Sequence, residues 1–295
     1  MFVPNSVVQV LVSAITLGGI YAISAIGLAL LWGVMGMLNM AHGSMMAVGA
    51  YASVFVISQL GLPWYFGVPA AIVVGCVAGW LLFQFSVRWM LGQTNFETNI
   101  IVATVGVAIT AKSLLIMGFS ANPQRQPFSV SGGIYIGDVL LPYQSIVIVA
   151  VTLLLMMVLT IGLNRTQTGR AIRATSQSRR AASLMGIPVE RVFRQVLMIA
   201  GSLAAISGVL VSSVVNVSPT TGEEAMLKVF IVCVVAGLGS IPGTILVAFA
   251  MALFEVTVQY MISSKWGYPL MLTAAILILI WQPCGIFGTE RVTRS

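Results

Sequence analysis

The chain has 295 residues, of which 59% are hydrophobic and only 7% charged; fourteen Lys and Arg against seven Asp and Glu give a net charge of +7. A soluble domain averages roughly 45–50% apolar and about 25% charged residues, so these proportions exclude a soluble enzyme, a nucleic-acid binder and a disordered chain. The first charge of either sign is Arg88. This is the composition of an all-α polytopic membrane protein.

A membrane-spanning helix needs about 20 predominantly apolar residues. Nine blocks meet or approach that length: 7–31, 36–59, 65–87, 99–118, 143–163, 194–215, 225–240, 243–262 and 267–283. The seventh is short, so eight crossings with one broken or re-entrant segment is the alternative to nine. The whole of 1–295 reads as one transmembrane domain. Its opening, Met1-Phe2-Val3-Pro4-Asn5-Ser6, lacks the positive n-region of a cleavable signal peptide, so the first block is expected to stay in the mature protein.

Charge sets the expected orientation. Seven of the fourteen basic residues lie between Arg165 and Arg194, with Glu190 the only acid there. A basic loop between apolar spans, here 164–193, reads as cytoplasmic. Counting spans in both directions then puts the N-terminus outside and the C-terminus inside. Arg88, Arg291 and Arg294 join the inner set, while Arg125, Lys265, Glu223 and Glu224 fall at the outer boundary. Lys112 and Lys228 lie within spans toward that side, where long side chains snorkel.

Two connections are more than turns. The outer loop 119–142 alternates Phe128, Val130, Ile134 and Ile136 around Ser131-Gly132-Gly133, which reads as a small β-hairpin or else as irregular loop. In the inner loop, Thr175 or Ser176 can cap a short helix that Gly186 stops, and Pro188 can open the next helix at its first position. Ala181, Ala182, Leu184 and Met185 give that short helix an apolar surface, and Arg179 and Arg180 give it charge. The order favours a docking element over a merely solvated loop near anionic lipid.

Many of the 29 glycines sit inside spans, where small residues let helices approach closely in lipid. Two interruptions stand apart: Asn39-Met40-Ala41-His42-Gly43-Ser44, and Gly237-Leu238-Gly239-Ser240-Ile241-Pro242-Gly243. Breaks at membrane depth are tolerated where they are buried in protein or line a wet cavity, and paired breaks point to a transport path.

Chemistry is sparse. Cys76, Cys233 and Cys284 are widely spaced and read as packing residues rather than a disulfide or metal framework. His42 is the sole histidine, which leaves no His-based metal cluster. No Gly-Lys pair exists, so the chain has no P-loop and any ATP hydrolysis belongs to another polypeptide. A Ser240–His42 dyad would make an intramembrane protease, an arrangement that needs side-chain reach between the two breaks. Glu255, inside the eighth block, is a costly group and a functional candidate. It could relay protons in a secondary carrier, or simply bond Gln259 one turn on.

Four motifs occur in order over almost the whole chain. They are Leu17-Gly18-Gly19-Ile20-Tyr21-Ala22 with Gly36-Met37-Leu38-Asn39-Met40-Ala41-His42-Gly43; Thr168-Gly169-Arg170-Ala171-Ile172-Arg173 with Ala181-Ala182-Ser183-Leu184-Met185-Gly186-Ile187; Lys228 with Gly237–Gly243; and Pro283-x-Gly285-Ile286-Phe287-Gly288. The series resembles the permeases of branched-chain amino acid ABC importers, specifically the shorter of the two paired permease subunits. The resemblance implies a bacterial inner-membrane assembly of two permeases, two cytoplasmic ATPases that use the ATP, and an extracytoplasmic binding protein. It implies no cofactor on this chain and no nucleic-acid partner. It also makes residues 176–190 the helix that enters an ATPase groove, with Arg179, Arg180, Ala181, Ala182, Leu184, Met185, Gly186 and Pro188 as coupling residues. Candidate path residues are Asn39, His42, Ser44, Gly239, Ser240 and Glu255. Ser44 stands where the family often has an acid, and Gln282 where an Arg is frequent. The first departure removes a charge near the path and leaves urea or a short amide as an alternative cargo to a branched-chain or similar amino acid.

Overall fold

The computed structural model describes residues 4–93, 95–127, 132–136 and 139–288. α1 (Pro4–Met35) is a single 32-residue helix, ~48 Å long at the standard rise, against a hydrocarbon core of about 30 Å. An extended break, opened by Gly36 with φ +56°, leads to α2 (His42–Val54), which ends in a π turn at Phe55–Gln59. A 3-10 turn at Trp64–Phe66 starts the third span, which continues through α3 (Gly67–Leu82), a π turn and α4 (Arg88–Met90). α5 (Phe96–Phe119) follows, then a two-stranded antiparallel hairpin, β1 (Gly133–Ile136) with β2 (Val139–Pro142), and α6 (Tyr143–Arg165).

The connector holds α7 (Gln167–Gln177) and α8 (Arg179–Leu184). Four more α-helices follow among the described residues: α9 (Val189–Val214), α10 (Thr221–Ala236), α11 (Ile241–Met261) and α12 (Gly267–Trp281). Among the described residues, seven runs are long and apolar enough to cross a membrane. α2 and α10 are the two short ones. Together they account for the nine expected blocks.

Burial orders the bundle. In the most apolar window, 89% of α1 and 72% of α9 are buried, against 33%, 17% and 11% for the spans at 64–90, 96–119 and 143–165. α1 and α9 therefore form the centre, and the other spans wrap them with apolar flanks turned outward. α3 lies along α9 and α1 along α11. Small residues permit this approach: a Cβ on Gly208 of α9 would collide with the Met46 carbonyl of α2.

The two ends of the bundle are distinct. Arg179 donates to the Met35 carbonyl, and Arg88 pairs with Glu190 at 3.3 Å, so the ends of α1 and α4 and the start of α9 gather at the basic connector. At the opposite end, Gln124 and Val217 exchange two backbone hydrogen bonds of 2.8 Å, which ties the hairpin loop to the α9–α10 connection. α2 begins partway through the bundle, where Met40 N–H donates to Thr104 of α5, and runs to the hairpin end, where Tyr51 meets Phe119 at 4.9 Å. α10 also begins partway in, beside Lys112 of α5.

The hairpin is displaced from its expected position. It pairs Gly133 with Pro142 and Ile136 with Val139, so Gly132 precedes the strands instead of turning between them. Phe128, Val130 and Ser131 lie outside the described residues, as do Arg291 and Arg294.

Candidate functional site

Glu255 of α11 is completely buried, and its carboxylate is fully engaged. Lys228 of α10 donates to Oε1 at 2.6 Å, Gln259 donates to the same oxygen at 3.0 Å, and Tyr21 of α1 donates to Oε2 at 2.7 Å. The Lys228 ammonium also lies 5.9 Å from the Tyr21 ring and 5.8 Å from the Tyr268 ring. Two charges removed from water are costly unless each is paired and its remaining sites are bonded. Here the pairing satisfies that condition, and it joins three helices. Lys228 does not snorkel to the boundary as expected; it turns inward because the nearest anion is there. Lys112, the other expected snorkeller, holds Glu223 at 3.0 and 3.1 Å.

A cleft of about 530 Å³ adjoins this network on the hairpin side. Its walls come from α1, α9, α10 and α11 and from the α9–α10 connection, with Pro123 and, on α6, Ser145 at the margin, and are mostly apolar. Tyr21, Lys228, Gln259 and Glu224 present polar groups to it. Pockets for small ligands combine apolar walls with a few placed polar groups in this way.

The other expected path residues are elsewhere. Asn39 is buried and accepts from Ala41 N–H at 3.0 Å, Ser44 donates to the Ala41 carbonyl at 2.8 Å, and both serve to turn the chain into α2. His42 Nε2 lies 3.2 Å from Ser24 Oγ, and its Nδ1 has no partner. Ser240 caps α11 by accepting from Gly243 N–H at 3.3 Å, and Gly239 (φ +95°) packs on Gly33. The structure therefore brings no Ser240–His42 dyad together. The first break is largely buried, the second is half-buried with Pro242 exposed, and neither lines the cleft; of the six residues only Glu255 adjoins it. Tyr21, Glu224, Lys228 and Gln259, which line the cleft, are not among the expected path residues. The available signal was one base, Lys228, and one acid, Glu255, in adjacent apolar blocks.

The connector is built by local rules. Thr166 caps α7 by accepting from Gly169 N–H at 3.0 Å, and Ser178 caps α8 by accepting from Ala181 N–H at 3.2 Å. The expected caps lie inside α7 instead: Thr175 and Ser176 donate back to the Ala171 and Arg173 carbonyls. Gly186, at φ +81°, ends α8 as expected. Ile187 N–H bonds the Ala182 carbonyl and Gly186 N–H bonds that of Ser183, each at 3.0 Å, which is a Schellman closure. Pro188 precedes α9 as its cap rather than occupying the first turn.

Ala182 is buried, whereas Leu184 and Met185 are 82% and 83% exposed. Arg180 and Ala181 are also exposed. Arg179 turns back to the bundle, with its guanidinium 5.9 Å from the Phe96 ring and 5.2 Å from the Phe193 ring. The connector is thus anchored to α1, α5 and α9 while its apolar tip points away.

A helical bundle with a buried charged network beside a cleft and an anchored amphipathic connector defines a polytopic transport permease. Residues 10–281 match the family described as branched-chain amino acid transport system / permease component, and the chain belongs to it. It is 29% identical over 307 residues to the high-affinity branched-chain amino acid transport system permease protein LivH of Escherichia coli K12, covering 97% of each chain. Against the corresponding protein BraD of Pseudomonas aeruginosa the identity is 27% over 300 residues, again with 97% of each covered. The solved structure of PsaBC from Streptococcus pneumoniae in complex with Fab contains a chain of the same fold. Its TM-score is 0.52 at 17% identity, over 93% of this chain and 91% of that one.

Proposed function

We propose that this chain is one permease subunit of an ATP-driven importer that carries a branched-chain or similar amino acid across the cytoplasmic membrane. In this reading the basic connector faces the cytoplasm, the hairpin end faces outward, and the N- and C-termini lie outside and inside. A second permease, two ATPases and an extracytoplasmic binding protein complete the assembly. Family membership supports the class of transporter and the kind of cargo. The observation that carries the coupling is the α8 tip, where Leu184 and Met185 stand exposed on a helix whose other side is anchored.

The mechanism follows from that anchorage. ATP-driven closure of the ATPases moves the groove that holds α8, and a packed wedge transmits rigid-body motion. Arg179 passes the displacement to the end of α1 and to Phe96 and Phe193. Tyr21 lies fourteen residues up α1 from Met35, ~21 Å at the helical rise, where it bonds Glu255 beside the cleft. A pull on the connector therefore reaches the charged network through one continuous helix.

Glu255 in a closed ion pair offers no support for a proton relay, and a neutral urea would bring no cation to Glu224 at the cleft. The test is uptake by the complete transporter in proteoliposomes. Leucine uptake that needs ATP and the binding protein, and stops with a hydrolysis-deficient ATPase, is expected. Uptake that continues on a proton gradient alone refutes the proposal.

A further inference from the structure

The first turn of α10 divides its two acids. Glu223 pairs with Lys112 of α5, while Glu224 lines the cleft one helical turn before Lys228. Among the described residues the Glu224 carboxylate has no ion pair and no side-chain hydrogen bond. Residues four apart on a helix have Cβ atoms about 5–6 Å apart on one face, so an acid and a base stand side by side at the cleft wall. Leu17, Ile20, Val211 and Val256 give the cleft an apolar surface, and Asn216 and Ser218 lie on the α9–α10 connection that lines it.

We propose that this cleft is a subsite for the zwitterion of an apolar α-amino acid. Glu224 takes the ammonium, Lys228 and Gln259 take the carboxylate, and the apolar wall takes the side chain. The assignment rests on the amino-acid importer reading and adds the place and polarity of contact. Lys228 can serve both partners because an ammonium carries three donors, so it meets a ligand carboxylate without leaving Glu255, which also keeps Tyr21 and Gln259. The Lys228 side chain is 26% exposed, which opens it to a ligand. An apolar acid without an ammonium leaves Glu224 unmet, and the corresponding amine leaves Lys228 without a new partner.

The test uses the assembled transporter in proteoliposomes, with Cys284→Ser and a reporter Asn216→Cys at the cleft. The rate of reporter labelling by a membrane-impermeant maleimide is measured with leucine, 4-methylpentanoate or 3-methylbutylamine present. Leucine should slow labelling at least fivefold, and neither analogue should do so at equal concentration. Glu224→Gln should raise the leucine concentration for half-protection at least tenfold while leaving labelling without leucine unchanged. Leucine uptake by the reporter transporter without protection, or equal protection after Glu224→Gln, overturns the subsite alone. If the parent transporter moves no leucine, the importer reading fails for this cargo and the subsite falls with it.

Discussion

Lys228 of α10 and Glu255 of α11 close a 2.6 Å ion pair at a point where the Glu255 side chain has no exposed surface. Lys228→Met leaves that carboxylate without its cation, a loss of about 3–5 kcal/mol for a buried pair. Glu255→Gln should cost less, because Lys228 borders the cleft and can turn into it. The double variant Lys228→Met/Glu255→Gln should be more stable than Lys228→Met alone. Unfolding temperatures in detergent, followed by tryptophan fluorescence, give the order; a Lys228→Met protein that melts with the parent contradicts the pairing.

Helix contact in the centre makes a sharper prediction. Gly208→Ala puts a methyl group against the Met46 carbonyl, and overpacking of this kind costs typically 1–3 kcal/mol. Gly106→Ala on α5 meets nothing within 4 Å and should be neutral or gain up to about 1 kcal/mol from helix propensity. Size-exclusion profiles after heating should separate the two variants. A Gly208→Ala protein as robust as Gly106→Ala would mean that α2 and α9 are not in contact there.

How far the sequence carried this picture differs from element to element. Seven of the nine blocks were legible as crossings because membrane thickness fixes their length, α2 and α10 appeared as shorter apolar blocks, and the start of α2 was legible in the run Asn39–Ser44 after Gly36. Gly186 announced the end of α8 because a left-handed residue is needed there. The hairpin register was not, since Ser131-Gly132-Gly133 competes with Gly137-Asp138, a dipeptide that also suits a two-residue turn. The helix cap was misplaced because Thr175, Ser176 and Ser178 are all plausible caps, and only the position of α7 chooses among them. The site itself was half visible. Glu255 stood out as a costly charge, but its contact with Tyr21 joins residues 234 apart in sequence, which no local pattern encodes.

Gly186→Ala forces an alanine into a left-handed conformation, at about 1–2 kcal/mol. The cost falls on the α8 turn and spares the spans. Membrane insertion and melting should stay near the parent values while ATPase co-purification drops severalfold. Normal co-purification would remove the turn from the docking surface.

Ser240→Ala deletes a helix cap, worth about 0.5–2 kcal/mol. Uptake should remain above half of the parent level, with a modest fall in melting temperature. A peptide-cleaving activity that vanishes with this substitution would instead assign Ser240 a catalytic role.

Coupling through the exposed α8 tip is tested most directly at position 184. In a Cys284→Ser chain, Leu184→Cys should react with an impermeant maleimide in inside-out vesicles stripped of ATPase, and stop reacting once the ATPase subunits rebind. Labelling of intact cells from the exterior, or labelling that rebinding leaves unchanged, would contradict the account.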